Sequence, residues 1–129
     1  MKILLIIITI LFTISSDRTD CNDLRNGKFQ TENEDGSITI ITRKGNQQIE
    51  NFMDGERISE FDLKWTNECK YLIYNRKVLQ GNDPWPEINE DTLKVKITEI
   101  QNNFYSTESE MLSKGWKMNQ KIQILKIDN

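Results

Sequence analysis

The chemistry open to this chain is bounded first by the side chains it lacks. It contains no histidine, which excludes Ser-His-Asp and Cys-His nucleophilic catalysis and any histidine-ligated zinc. Its two cysteines, Cys21 and Cys69, have neither the short paired spacing of a metal site nor the two-residue gap of a redox motif. No glycine-rich run matches a phosphate cradle or a dinucleotide fingerprint. The tetrapeptide Asn33-Glu34-Asp35-Gly36 lacks the alternating oxygen ligands and distal glutamate of a calcium loop and reads as a turn. No metal and no cofactor are expected. What remains is carboxylate, lysine or tyrosine chemistry. Glu87, Glu90 and Asp91 cluster after a proline-containing loop, and Glu108 with Glu110 form a second group. Paired carboxylates suit acid/base hydrolysis. Charged side chains are mostly exposed, however, so a solvated acidic loop is the favoured reading and the chain is read as non-enzymatic.

Aromatic residues offer the better lead for binding. Trp85 lies between Pro84 and Pro86. The prolines stiffen the loop, and a rigid exposed tryptophan anchors a partner at little entropic cost. The competing reading folds Trp85 back to plug the end of a barrel. Trp65 and Tyr71 instead flank Cys69 and are expected to pack around it.

The elements that must carry these residues are strands. Leu93, Val95 and Ile97 alternate with Lys94, Lys96 and Thr98, and Phe61, Leu63 and Trp65 alternate with Asp62 and Lys64, the signature of half-buried strands. Tyr71 and Ile73 share a face opposite Leu72 and Tyr74; Ile38, Ile40 and Ile49 mark earlier strands, and Trp116, Met118, Ile122 and Ile124 a last long one. Phase slips at Ile40-Ile41 and Ile124-Leu125 are read as bulges. Asp35-Gly36, Lys44-Gly45-Asn46, Asp54-Gly55 and Asn102-Asn103 supply residues that tolerate the positive φ of tight hairpins. Ser106 to Ser113 is read as continued strand rather than one helical turn. The absence of alanine argues in the same direction, since alanine is the best helix former. The expected fold is all-β: an antiparallel up-and-down meander of about eight strands closing into a small barrel, with a β-sandwich as the alternative.

The N-terminus reads as an export signal. Lys2 precedes an apolar run from Ile3 to Ile14, then Ser15 and Ser16 and a polar stretch, the order of a secretory signal peptide. The run is about a dozen residues, short of the ~20 needed to span a bilayer. Residues 1–16 are therefore expected to be removed, leaving 17–129 as a single all-β domain with no transmembrane anchor. Lys2 departs with the signal, which shifts the net charge from −3 to −4. That balance lacks the basic patch typical of nucleic-acid binding. In an oxidising compartment the two cysteines pair most simply as one disulfide, worth ~4 kcal/mol in the chain-entropy model; two buried free thiols are the alternative. Arg18-Thr19-Asp20 disfavour lipid attachment at Cys21. The expected location is periplasmic or extracellular.

Three stretches resemble a family of small exported proteins and lipoproteins of Bacteroidota without an established function: Cys21 to Phe29, Phe61 to Tyr71, and Leu93 to Thr98. The resemblance implies that Cys21 and Cys69 form a structural pair. Members of that family often carry a name borrowed from a subunit of DNA topoisomerase IV, an activity not expected of a short, acidic chain without a nucleotide-binding or strand-cleaving motif. Gly27-Lys28-Phe29 more distantly resembles the Gly-x-Trp start of lipocalin-like barrels.

Two binding functions are expected ahead of the hydrolase. The first is an interaction module that recognises a protein partner through Trp85. The second is a lipocalin-like binder of a small apolar ligand, with Phe29, Ile40, Phe61, Leu63 and Val95 as cavity-lining residues.

Overall fold

The computed structural model describes residues 19–128; the expected signal segment, 1–16, lies outside them. Eight antiparallel strands follow one another around a closed barrel. They are β1 (Gly27–Glu32), β2 (Ile38–Lys44), β3 (Gln47–Phe52), β4 (Arg57–Asn67), β5 (Lys70–Gln80), β6 (Leu93–Ile100), β7 (Phe104–Met111) and β8 (Trp116–Ile127). Each pairs with its chain neighbours, and β1 closes on β8 through Gly27 opposite Ile127 and Lys28 opposite Lys126. Closure removes the exposed sheet edges that an open sandwich would leave. Gly27 makes it geometrically feasible, because a Cβ there would collide with the Lys126 carbonyl.

The period-two pattern sorts residues between interior and exterior. Phe29, Ile41, Leu63, Tyr71, Val95, Ile97, Tyr105 and Ile122 form the buried core. Lys94, Lys96 and Thr98 between them are exposed. The exposed Lys94, Lys96 and Glu108 on the outer face differ from the apolar outer band of a lipid-facing barrel. Among the described residues no helix is long and apolar enough to cross a membrane.

The two ends of the barrel differ. At one end a 3-10 helix, Cys21–Arg25, buries Leu24 completely and lies across the opening. Its start is fixed by a reciprocal capping box between Asp20 and Asp23. Cys21 is disulfide-bonded to Cys69 in the β4–β5 turn, with Cα atoms 5.2 Å apart. Trp65 packs on Tyr71 beside it, ring centroids 4.7 Å apart, and Arg25 lies over the Trp65 ring at 4.9 Å. The β1–β2, β3–β4, β5–β6 and β7–β8 connections gather at the other end, where a shorter 3-10 helix, Pro86–Ile88 in the β5–β6 loop, buries none of its residues.

Register shifts decide which side chains enter the barrel. The slip at Ile124-Leu125 is a bulge: Lys28 faces Lys126 whereas Phe29 faces Ile124. The slip at Ile40-Ile41 is not, since β2 pairs without interruption on both sides. Thr39, Ile41 and Arg43 point inward instead, and the apolar Ile38 and Ile40 point outward. A bulge that the apolar pattern did not signal lies in β5. Asn75 takes a positive φ of 52°, the register against β4 shifts between Glu60 and Asp62, and the next residue, Arg76, turns into the barrel.

Candidate functional site: a cavity at the open end

The closed half of the barrel is filled by side chains. Arg43 is 1 % exposed at its centre. It donates to Gln48 Oε1 at 2.8 Å, the Leu24 carbonyl at 3.1 Å and the Tyr71 hydroxyl at 2.9 Å. Its guanidinium also lies against the rings of Phe29, Tyr71 and Tyr105 at 4.7, 4.9 and 5.6 Å. The cation is thus held by three hydrogen bonds and three aromatic rings and makes no direct ion pair among the described residues. Burial pushes the Tyr71 and Tyr105 phenols up, although the Arg43 charge opposes the shift. Both therefore remain neutral. This layer is the floor of the site.

Above it lies a cavity of about 500 Å³. Phe52, Phe61, Ile73, Leu93, Met111 and Trp85 give it an apolar wall, into which Thr31, Ser37 and Ser59 place hydroxyl groups. Three charged strand residues also line it: Glu50 on β3, Arg57 on β4 and Arg76 on β5. Arg57 opposes Phe52 across the β3–β4 ladder, while Glu50 opposes Ser59 one inward-facing step deeper. Arg57 therefore sits near the mouth. Its guanidinium lies over the rings of Phe52 at 4.6 Å and Trp85 at 5.3 Å, and it forms no ion pair among the described residues.

Arg76 is used differently. Strand β5 pairs with β6 only from Lys70 to Ile73, so its upper half has no ladder on that side. The β5–β6 loop fills the gap, and Arg76 holds it. Its Nη1 donates to Asp83 at 2.9 Å, to Asn89 at 2.6 Å and to the Trp85 carbonyl at 3.4 Å. Burial acts to raise the Asp83 carboxyl, but hydrogen bonds from Arg76, the Trp85 amide and Asn89 outweigh it and hold the group below its ordinary value. Glu50 behaves oppositely. Burial pushes its carboxyl up, against the pull of Arg43, Arg76 and Arg57.

The residues expected from sequence to line a cavity separate into three groups. Phe61 lines it. Phe29, Leu63 and Val95 are 0 %, 2 % and 3 % exposed and belong to the packed floor below it. Their position is corrected by depth: they face inward, but in the half already filled by Arg43 and its rings. Ile40 is corrected by direction, because uninterrupted pairing places Thr39 and Ile41 inside and Ile40 outside. Trp85 combines the two expectations for it. It is 51 % exposed at the mouth and at the same time lines the cavity over Arg57.

The carboxylate clusters do not converge. Glu87 and Glu90 are exposed, whereas Asp91 accepts from the Ser113 hydroxyl and amide and from the Thr92 amide. The Ser113 hydrogen bond, opposed by burial, holds Asp91 below its ordinary value. Glu108 is exposed and Glu110 half-buried; both alternate out of phase with the inward Thr107 and Ser109. Among the described residues no group of three acidic or cysteine side chains is placed to hold a metal.

Sequence reasoning missed Glu50, Arg57 and Arg76. Two were legible: Arg57 is in phase with Ser59, Phe61 and Leu63, and Glu50 with Gln48 and Phe52. Following alternation through charged positions would have placed both inside. Arg76 was not legible, because its direction depends on the Asn75 bulge. Comparison of the chain with protein-family models, curated proteins and solved structures finds no match.

Proposed function

We propose that this is an exported, non-enzymatic barrel that binds a small, largely apolar ligand through its open end. One observation carries the reading: above a packed floor of buried side chains, the barrel keeps a cavity of about 500 Å³. That size falls within the ~300–1,000 Å³ typical of small-molecule sites, and a mostly apolar wall with a few convergent polar groups is their usual composition. The reading belongs with export. The Cys21–Cys69 disulfide suits an oxidising compartment, as do the secretory pattern of residues 1–16 and the resemblance to small exported Bacteroidota proteins.

A neutral amphiphile tests the proposal. Dodecanol titrated calorimetrically into the oxidised protein should bind saturably at one site per chain. Ser59→Trp, which places a bulky ring in the cavity wall, should weaken binding by about tenfold or more, equivalent to ~1.4 kcal/mol. Non-saturable uptake, or equal affinity in a folded Ser59→Trp protein, would refute the cavity as the binding site.

A second reading, recognition of a protein partner, draws on the exposed apolar side chains at the same end: Met53 in the β3–β4 turn, Trp85, Leu112 and Trp116. It requires that Trp85→Ala abolish capture of a partner while leaving the fold intact.

A further inference from the structure

We infer that the ligand is an anionic amphiphile whose head group pairs with Arg57 at the mouth while its apolar part occupies the cavity beside Phe61, Ile73 and Leu93. This rests on the cavity being the binding site and assigns the chemical class that it takes.

The argument starts from the partners of each charged group in the wall. Asp35 accepts from both the amide and the hydroxyl of Ser37, at 2.9 and 2.6 Å. Asp91 is held by Ser113 and Thr92, and Arg76 is committed to Asp83 and Asn89. Arg57 alone among the lining cations forms no ion pair within the described residues. Its guanidinium is nevertheless positioned, because Phe52 on its own sheet and Trp85 on the loop both face it. An oriented, half-desolvated guanidinium favours a carboxylate or similar oxyanion, which can take two of its N–H groups at once.

A cationic head would have to seek Glu50, which is the alternative charge in the wall. Glu50, however, lies within the fields of Arg43 from β2, Arg57 from β4 and Arg76 from β5. Of these, Arg57 shares the cavity with it and forms no ion pair among the described residues, so a cationic head seeking Glu50 would have to sit beside an unpaired guanidinium. Glu50 is also one inward step deeper than Arg57, away from an anion bound at the mouth. Asp35 and Asp91, the remaining acidic groups in the wall, keep their charge, but they accept hydrogen bonds from Ser37 and from Ser113 and Thr92, and neither pairs with Arg57. Charge and depth together place the anion at the mouth and the tail below.

Three probes with the same tail and different heads provide the test: dodecanoate, dodecanol and dodecyltrimethylammonium, each kept below its self-association threshold. Dodecanoate should bind about tenfold or more tighter than dodecanol, the scale expected for a charge-assisted hydrogen bond, and dodecyltrimethylammonium should bind most weakly. Arg57→Gln should abolish the preference for dodecanoate without weakening dodecanol, and Arg57→Lys, which keeps the charge but not the paired N–H groups, should retain only part of it. An unchanged preference in Arg57→Gln, equal affinities for dodecanoate and dodecanol, or tightest binding of the cationic probe would overturn the anionic assignment and leave the cavity reading standing. Failure of all three to bind would overturn both. The three-probe comparison on the unaltered protein decides even where Arg57→Gln does not fold.

Discussion

Glu50 and Arg43 show how differently one barrel interior treats two charged side chains. Arg43 has three acceptors and three rings around it, so it contributes to the packed floor. Glu50 faces open volume and has no ion-pair partner among the described residues. Its carboxyl is raised by burial, so across the interval between its ordinary and its raised value the folded protein binds more protons there than the unfolded chain. Stability must then fall as pH rises through that interval and level off above it. Urea unfolding from about pH 4 upward, past the ordinary carboxylate range, should show this decline in the unaltered protein. Glu50→Gln should remove that part of the decline and be the more stable of the two at neutral pH. A decline unchanged by Glu50→Gln would mean that another group causes it.

At the scale of elements, β5 and the loop after it form the adjustable part of the wall. The Asn75 bulge aims Arg76 inward, and Asn75 reinforces it by donating to Asp62 across β4 at 2.8 Å. Arg76 then substitutes a side-chain network for the missing β5–β6 ladder. Gly81 lets the chain leave β5 tightly: at φ 85° it approaches the Glu56 carbonyl so closely that any Cβ would collide with it. The Asp83 carboxyl is lowered in the folded protein, so its stabilising effect is present above the ordinary carboxylate value and lost as pH falls through the lowered one. Amide exchange across residues 81–92, corrected for intrinsic rates, should accelerate under those acidic conditions. Asp83→Asn should exchange faster in the same segment already at neutral pH, while core amides of β6 and β7 stay protected. Uniform acceleration throughout the barrel would contradict a local role for the Arg76–Asp83 contact.

For the whole molecule, the two ends divide stability from binding. The disulfide joins residues 48 apart in sequence and ties the plug to the β4–β5 turn. In the chain-entropy model a closed loop of that length is worth ~4 kcal/mol. Replacing Cys21 and Cys69 together by serine should lower the unfolding free energy by about that amount, measured by urea denaturation. Amphiphile affinity, measured where the variant is still folded, should change less than about threefold, because the plug is at the end opposite Arg57. A large loss of affinity with little loss of stability would instead make the plug part of the binding site.

The sequence by itself determined the strand pattern and its up-and-down order, whereas closure into a barrel rather than a sandwich was decided by the tertiary structure. Alternating apolar residues and hairpin turns at short intervals are local properties, set by a side-chain period of two and by residues that accept positive φ. Leu93, Val95 and Ile97 could be assigned to one face without any knowledge of their neighbours. The pairing of Cys21 with Cys69 followed in the same way from there being two cysteines in a chain with a secretory pattern. Only the tertiary structure decided how deep each inward residue lies and which charged residues join it. Phe29, Leu63 and Val95 obey the same alternation as Phe61, yet Arg43 and three aromatic rings fill their layer and leave only the upper one open. Arg76 enters the barrel because one residue in β5 departs from the ladder. Depth and the Asn75 bulge depend on contacts between distant strands, and the local apolar pattern does not encode them.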